Sequence, residues 1–324
     1  MLKTLSVEKK RPAGIRRSFS SKFAGSKNKE QLELIAIMLP ALIHIFIFSY
    51  IPLYGIVIAF QNYFPGNPFI AFDGSVEWVG LQNFVEFISQ RTFWKLIRNT
   101  LVLSGLNLCF GFWVPILFAL LLNEVKSVRY KKFVQTASYL PYFISTVVVA
   151  GMVLSFIDTQ GIINTIRGLF GLAPKAYNVS PGAFPVIYTI TNVWKSFGWD
   201  SILYLSAMSA VDPNLYEAAR LDGANRIQQA WYVTLPSIKP TIVLLLIFAI
   251  GGVLNANSEM ILLLYNPATY DTADVVGTYV YRDGLMGGRF SFGTAASLFT
   301  SAINFALIFG ANWVARKVGD YSLW

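Results

Sequence analysis

Apolar residues run along this chain in long unbroken blocks, not in short alternation. Six blocks stand out, at 34–60, 100–122, 134–157, 184–211, 241–264 and 294–315. A helix needs about 18–20 apolar residues to cross a hydrocarbon core of ~30 Å, and each block is long enough. The pattern therefore predicts an all-α integral membrane protein with about six transmembrane helices. Pro40, Pro52, Pro115, Pro141, Pro185, Gly251 and Gly252 fall inside the blocks. Membrane helices tolerate such residues because neighbours re-satisfy the freed backbone groups, so kinks are expected there.

The polar segments between the blocks set the direction of threading. Residues 1–33 carry nine lysines and arginines, and the linkers after the second and fourth blocks carry Lys126, Arg129, Lys131, Lys132, Arg220, Arg226 and Lys239. The alternate linkers are poorer in them. Basic residues collect on the cytoplasmic side. The chain accordingly divides into a basic cytoplasmic arm at 1–33, a six-span domain at 34–315 with a cytoplasmic loop at 212–240, and a tail at 316–324. Both termini are expected in the cytoplasm. The basic arm and its long apolar sequel do not resemble a cleavable signal.

Composition narrows the chemistry. The chain is 55% hydrophobic and 13% charged, with a mean hydropathy of +0.52 and a net charge of +9. That charge sits largely in the basic arm and cytoplasmic linkers. The arm lacks interleaved aromatics, so anionic membrane lipid, and no nucleic acid, is its expected partner. One cysteine, Cys109, and one histidine, His44, make neither a disulfide, a zinc site nor a catalytic triad. No phosphate-binding G-x-x-x-x-G-K-[ST] loop occurs. No catalytic or metal residues are expected, and any ATP and magnesium would be held by a partner.

The cytoplasmic loop is unlike its surroundings. Leu215 to Pro236 reads LYEAARLDGANRIQQAWYVTLP. Asp212 suits a helix N-cap and Pro213 the first helical position. Gly223 suits a left-handed stop, and a second short helix from Asn225 is expected to end near Pro236, before the fifth block. A helix of two turns is marginal alone. The small faces of Ala218, Ala219 and Ala224 beside Glu217, Arg220 and Asp222 fit a short helix seated in a partner's groove. A solvated loop at the membrane surface fits the same residues.

Glu217-Ala218-Ala219, then Gly223, then Leu235-Pro236 resembles the EAA loop of binding-protein-dependent ABC importer permeases, and EAARLDGA with LPSIKP resembles its carbohydrate branch. Ile51-Pro52-Leu53-Tyr54-Gly55, EMILLLYNPATYDTADVVGTYVYRDGL and the ending DYSLW are similar to the polysaccharide-type members, alginate importers among them. The resemblance implies a MetI-like fold in a bacterial inner membrane. It also implies a second permease subunit, two ATPase subunits and an extracytoplasmic solute-binding protein. Glu217, Ala218, Ala219, Asp222 and Gly223 would then be the positions that engage the ATPase through a coupling helix. Where the family often has an aromatic residue, this chain has Ala230, with Trp231 adjacent.

A saccharide route needs hydrogen-bonding groups and aromatic faces. The fourth block offers Asn192, Trp194, Lys195, Trp199 and Asp200, and the fifth Asn255, Asn257 and Glu259. Ionisable groups in a span face a cavity or a neighbouring helix, since lipid exposure is costly. Lys195 would attract the carboxylates of a polyuronate; bonds between helices would equally occupy these groups. The outer segments 62–90 and 266–292 carry Trp78, Phe84, Phe87, Tyr270, Tyr279, Tyr281 and Arg282, which suit a binding-protein surface or anchoring at the membrane interface. A secondary transporter or channel is the alternative, and it would need an inverted repeat or paired intramembrane carboxylates.

Overall fold

The structure is a computed structural model, and it describes residues 19–70 and 76–319. Lys3, Lys9, Lys10, Arg11, Arg16 and Arg17 of the basic arm, and the DYSLW ending, lie outside the described residues. Two compact units divide at Ile56 and Val57. In the first, α1 (Phe19–Ile45) passes into a π turn at Phe46–Tyr50, where the Ile51 N–H reaches back to the Phe46 carbonyl. The widened turn stands just before Pro52, whose ring cannot sit against the carbonyl four residues earlier. Residues Gln31–Phe60 form a continuous apolar run long enough to span a bilayer.

The second unit is helical apart from loops and one isolated bridge between Gln61 and Trp78. Its helices are α2 (Gln82–Ser89), α3 (Phe93–Asn123), α4 (Val128–Phe143), α5 (Thr146–Ile157), α6 (Ile162–Leu169) and α7 (Phe184–Ser209). They continue with α8 (Pro213–Leu221), α9 (Arg226–Gln229), α10 (Leu235–Gly251), α11 (Ser258–Leu264), α12 (Tyr270–Ala273), α13 (Val276–Tyr279) and α14 (Phe290–Gly319). Helix α7 packs along α3 and α4, and α14 packs along α10 and α2. Three apolar clusters hold the bundle. The central one joins Leu103, Val149, Tyr188, Met260 and Ile261. Another gathers Phe87, Phe93, Leu96, Tyr279 and Phe292. The third joins Phe112, Ile116, Tyr204, Met208 and Ile238.

Five helical runs among the described residues are long and apolar enough to cross a membrane. Helix α7 is absent from that set although it has 26 residues, about 39 Å at 1.5 Å per residue. Its polar side chains, not its length, hold it back. At Gly198 it crosses α4 so closely that a Cβ would overlap the Ser138 carbonyl.

Three expected boundaries differ. The block 134–157 is two helices, because the chain turns extended at Ile144 and Ser145 just after Pro141. The block 241–264 is also two, with the backbone leaving the helix between Gly251 and Ser258. The expected stop before the fifth span does not occur: Arg226–Gly251 is one continuous helix. A π turn at Ala230–Thr234, in which the Leu235 N–H reaches the Ala230 carbonyl, carries it past Pro236. It is the same device that precedes Pro52.

Contacts between loops sort the bundle's two ends. Arg226 lies 3.8 Å from Glu124, which joins the linker after α3 to the loop after α7. At the other end Lys95 pairs with Asp271 and Arg289 with Glu86, and the Asn266 amide donates to the Asn178 carbonyl.

Candidate functional site

The break in the fifth span borders a cavity inside the bundle. Non-helical backbone at membrane depth is tolerated where it lines a cavity or is covered by protein. Here both conditions hold. The Tyr188 hydroxyl accepts from the Asn257 N–H at 3.1 Å, and the Asn257 amide donates to the Asn192 side chain at 3.0 Å. From α14, the Asn304 side chain accepts from the Leu254 N–H at 3.1 Å and donates to Asn255 at 2.9 Å. The backbone so pinned borders a cavity of about 370 Å³ shared by α3 and α7. Asp200, Tyr204 and Ser196 face it from α7, Ser104 and Asn107 from α3, and Asn255 and Asn257 from the break. The Ser104 hydroxyl is buried with no hydrogen-bond partner in the protein. The lining mixes these polar groups, one carboxylate among them, with apolar side chains such as Leu108, Phe112, Leu203 and Leu245.

The residues proposed from sequence for a pathway do not all meet there. Asp200, Asn255 and Asn257 line the chamber, and Asn192 stands behind Asn257 as its support. Lys195 and Trp199 turn toward α4 instead. The Lys195 ammonium lies 5.6 Å from the centre of the Tyr142 ring, and that ring stacks on Trp199 at 4.6 Å with 5° between planes. No carboxylate lies within ion-pair distance of Lys195 among the described residues. Trp194 is exposed on α7, and Glu259 is exposed on α11 outside the chamber's lining. The separation follows from helix geometry, because positions five apart on a helix are about 140° apart. Asn304 and Asn107 escaped the sequence reading. Each is a lone asparagine in an apolar run, and the signal that could have found Asn304 is the Gly251-Gly252 break that it bridges.

The loop 212–240 has the expected local geometry up to Asn225. Asp212 caps α8 by accepting from the Asn214 N–H at 2.9 Å, and Pro213 takes the first helical position. Gly223 adopts φ +80°, the left-handed region that a side chain resists. Asn225 and Gln228 exchange side-chain-to-backbone bonds at 2.9 and 2.8 Å, a capping box that starts α9. Yet α8 buries none of its side chains. Glu217, Ala218 and Asp222 are exposed, Ala219 is half-buried, and Leu221 is 90% exposed. Ile227, Trp231 and Tyr232 extend the uncovered apolar surface.

The segment 266–289 is the reverse. Asp274 receives the Arg282 guanidinium at 2.8 and 3.2 Å and the Thr278 hydroxyl at 2.7 Å. That carboxylate holds the arginine still more firmly protonated than usual. The Asn99 amide donates to the carbonyls of Asp271 and Asp274, and the Val276 N–H donates to Thr100. Lys95 bonds the exposed Asp271 carboxylate at 2.9 Å, and this holds its pKa below the ordinary 3.8. Phe87 and Tyr279, expected at a surface, are buried in the core instead, because α2 and α13 press them between α3 and α14. Trp78 and Tyr281 remain exposed.

Comparison with known proteins agrees with this architecture. Residues 116–320 match the family described as binding-protein-dependent transport system inner membrane component. The chain is 44% identical over 297 residues to the polygalacturonan/rhamnogalacturonan transport system permease protein YteP of Bacillus subtilis (strain 168), covering 91% of each. It is 42% identical to a chain in the crystal structure of a bacterial ABC transporter involved in import of the acidic polysaccharide alginate. That match has a TM-score of 0.79 and covers 91% of this chain and 99% of the other. A second structure is of a bacterial alginate ABC transporter in complex with alginate pentasaccharide-bound periplasmic protein. It matches at 41% identity and a TM-score of 0.81, covering 92% of this chain and 99% of the other.

Proposed function

The chain belongs to the family of binding-protein-dependent transport system inner membrane components, and from that membership we propose that it is one permease subunit of an ATP-driven importer of acidic oligo- or polysaccharide. A second permease subunit completes the pathway, and two ATPase subunits holding ATP and magnesium drive it. An extracytoplasmic solute-binding protein delivers the cargo. Both termini lie in the cytoplasm. The observation that carries this reading is α8: a capped helix between two spans with no side chain fully buried by its own chain and only Tyr216 and Ala219 half-buried. A nine-residue helix is too short to be stable alone, so it implies a partner at that face.

The mechanism is alternating access. A loaded binding protein docks on the outer face while ATP closes the ATPase pair inside. Closure displaces α8, and the spans tilt to open the chamber outward. Hydrolysis resets them. Each step requires a partner with different affinity for the two states. Glu217, Ala218, Ala219, Asp222 and Gly223 form the ATPase-facing turn in this scheme.

The cargo class follows from Lys195. A lysine near mid-span with no carboxylate partner among the described residues is costly unless it meets water or an anion. The relatives' names speak of polygalacturonan, rhamnogalacturonan and alginate, which carry uronate carboxylates. Lys195 stands outside the chamber's lining, braced on Tyr142 where α7 meets α4, and in this reading it receives them there, beside the chamber. The test is ATP hydrolysis by the complete reconstituted complex across a glycan panel. Uronate oligosaccharides with their binding protein should stimulate turnover, and neutral ones of equal length should not. Equal stimulation by both removes the acidic assignment; stimulation by neither removes the importer reading.

A further inference from the structure

We infer that the hydroxyl pair Tyr216–Thr234, seated on the π turn Ala230–Thr234, is the joint that passes a displacement of α8 into the chamber around Asp200. The inference rests on the importer reading above and names the route that reading leaves open.

Three links leave α8. Two are the chain itself, through Ala210–Asp212 to α7 and through Gly223–Asn225 to α9. The second of these is pliable, since Gly223 is left-handed with open space where a Cβ would stand. The third is a side-chain bond. The Tyr216 hydroxyl lies 3.0 Å from the Thr234 hydroxyl, and it is the hydrogen bond by which an α8 side chain reaches another element among the described residues. Either hydroxyl can donate in this pair, and the Thr234 hydroxyl also lies 3.4 Å from the Gln229 carbonyl. Gln229 in turn donates to the Ala224 carbonyl at 2.8 Å, which closes a chain of bonds around the loop.

Where this bond lands is informative. Thr234 is 1% exposed, the last residue of the π turn that lets the helix Arg226–Gly251 continue past Pro236. One turn on, Ile238 is equally buried and joins the cluster of Phe112, Ile116, Tyr204 and Met208. Phe112 and Tyr204 meet edge to face at 6.3 Å, and both line the chamber. A π turn is a local irregularity able to take up a shift without unwinding the helix, and such turns recur at functional sites. The pathway is thus Tyr216, Thr234, Ile238 one turn along the same helix, then Phe112 and Tyr204 in the cluster that Ile238 joins.

The test uses the complete complex in proteoliposomes, with saccharide moved per ATP hydrolysed as the readout. Tyr216→Phe removes the hydroxyl and keeps the ring; Thr234→Val removes the other hydroxyl at constant shape. Each should lower the transport-to-hydrolysis ratio at least about threefold, the factor matching the usual worth of one such bond. The double variant should be no worse than the more affected single one, because both remove the same bond. Thr234→Ser should restore the wild-type ratio. Assembly with the ATPase, followed by co-purification, should stay at wild-type levels. A wild-type ratio in either single variant, additive losses in the double, or failure of Tyr216→Phe to assemble would each overturn the joint. A wild-type complex in which no saccharide stimulates hydrolysis would fell the importer reading as well, which is a separate result.

Discussion

The segments 266–289 and 212–225 are built from similar parts, short helices joined by turns, yet they end in opposite conditions. The first is sewn to its own chain. Asn99, Thr100 and Lys95 bond its backbone or side chains, and Ala273, Val275, Val276 and Thr278 are buried. The second is capped and shaped but largely uncovered, with Leu215 and Leu221 exposed. Local order is equal in the two and burial is not. The first segment is a finished surface; the second, in the proposed importer, is the part that docks on the ATPase. Local bonds give α8 its form, and the missing tertiary contacts are those a partner would supply.

The comparison can be broken most severely at Glu217. Glu217→Lys reverses a charge on the uncovered face, so saccharide-stimulated ATP hydrolysis should fall to background while the protein inserts in normal amounts, as read by membrane immunoblotting. Normal stimulation would mean that the exposed helix is not a docking surface. In the segment 266–289, Asp274→Ala leaves the Arg282 guanidinium only its longer contact with Asp283 at 3.5 Å and frees Thr278. This should cost about 2–3 kcal/mol, read as a lowered thermal midpoint of the detergent-purified protein. An unchanged midpoint would show that this network is ornamental to stability.

A milder probe is Gly223→Ala, which forces a Cβ into left-handed backbone at about 1–2 kcal/mol of local strain. Import should drop several-fold with the thermal midpoint nearly unmoved, and Gly223→Asn should retain more activity because asparagine tolerates that conformation. The smallest effect belongs to the exposed pair Lys95–Asp271. Asp271 has a depressed pKa in the folded state, so its contribution is complete above the ordinary 3.8 and fades as pH falls through the lower folded value. Asp271→Asn should therefore barely shift the midpoint at pH 7, and the small difference from wild type should vanish in acid. A large loss at pH 7 would transfer weight from the buried Asp274 to the rim.

Much of this was legible in the sequence because bilayer physics imposes long apolar runs. The helices at α3, α7 and α14, the cap at Asp212, the left-handed Gly223 and the start at Asn225 all follow from local chemistry. Kinks at Pro141 and at Gly251-Gly252 were expected, but that they widen into full breaks did not show. Pro236 reads as a stop, yet a π turn carries the helix past it, and nothing in AWYVT announces a wider turn. The break after Gly251 is held open by Tyr188, Asn192 and Asn304, residues far away along the chain. Spacing along α7 correctly kept Lys195 and Asp200 from pairing, but the stack of Tyr142 on Trp199 depends on how α4 crosses at Gly198. The aromatics Phe87 and Tyr279 were legible as present and illegible as buried, since burial there is decided by the crossing of α2, α13 and α14.

The central claim is that α8 is gripped by the ATPase. The direct measurement is site-specific cross-linking from Leu221→Cys, in a background with Cys109 replaced, within membranes containing the complete importer. The account predicts a covalent adduct with the nucleotide-hydrolysing subunit, its yield changing when ATP is added, and no such adduct from Tyr281→Cys in the segment 266–289. An intact, transporting complex that gives no ATPase adduct from Leu221→Cys under either condition would contradict it.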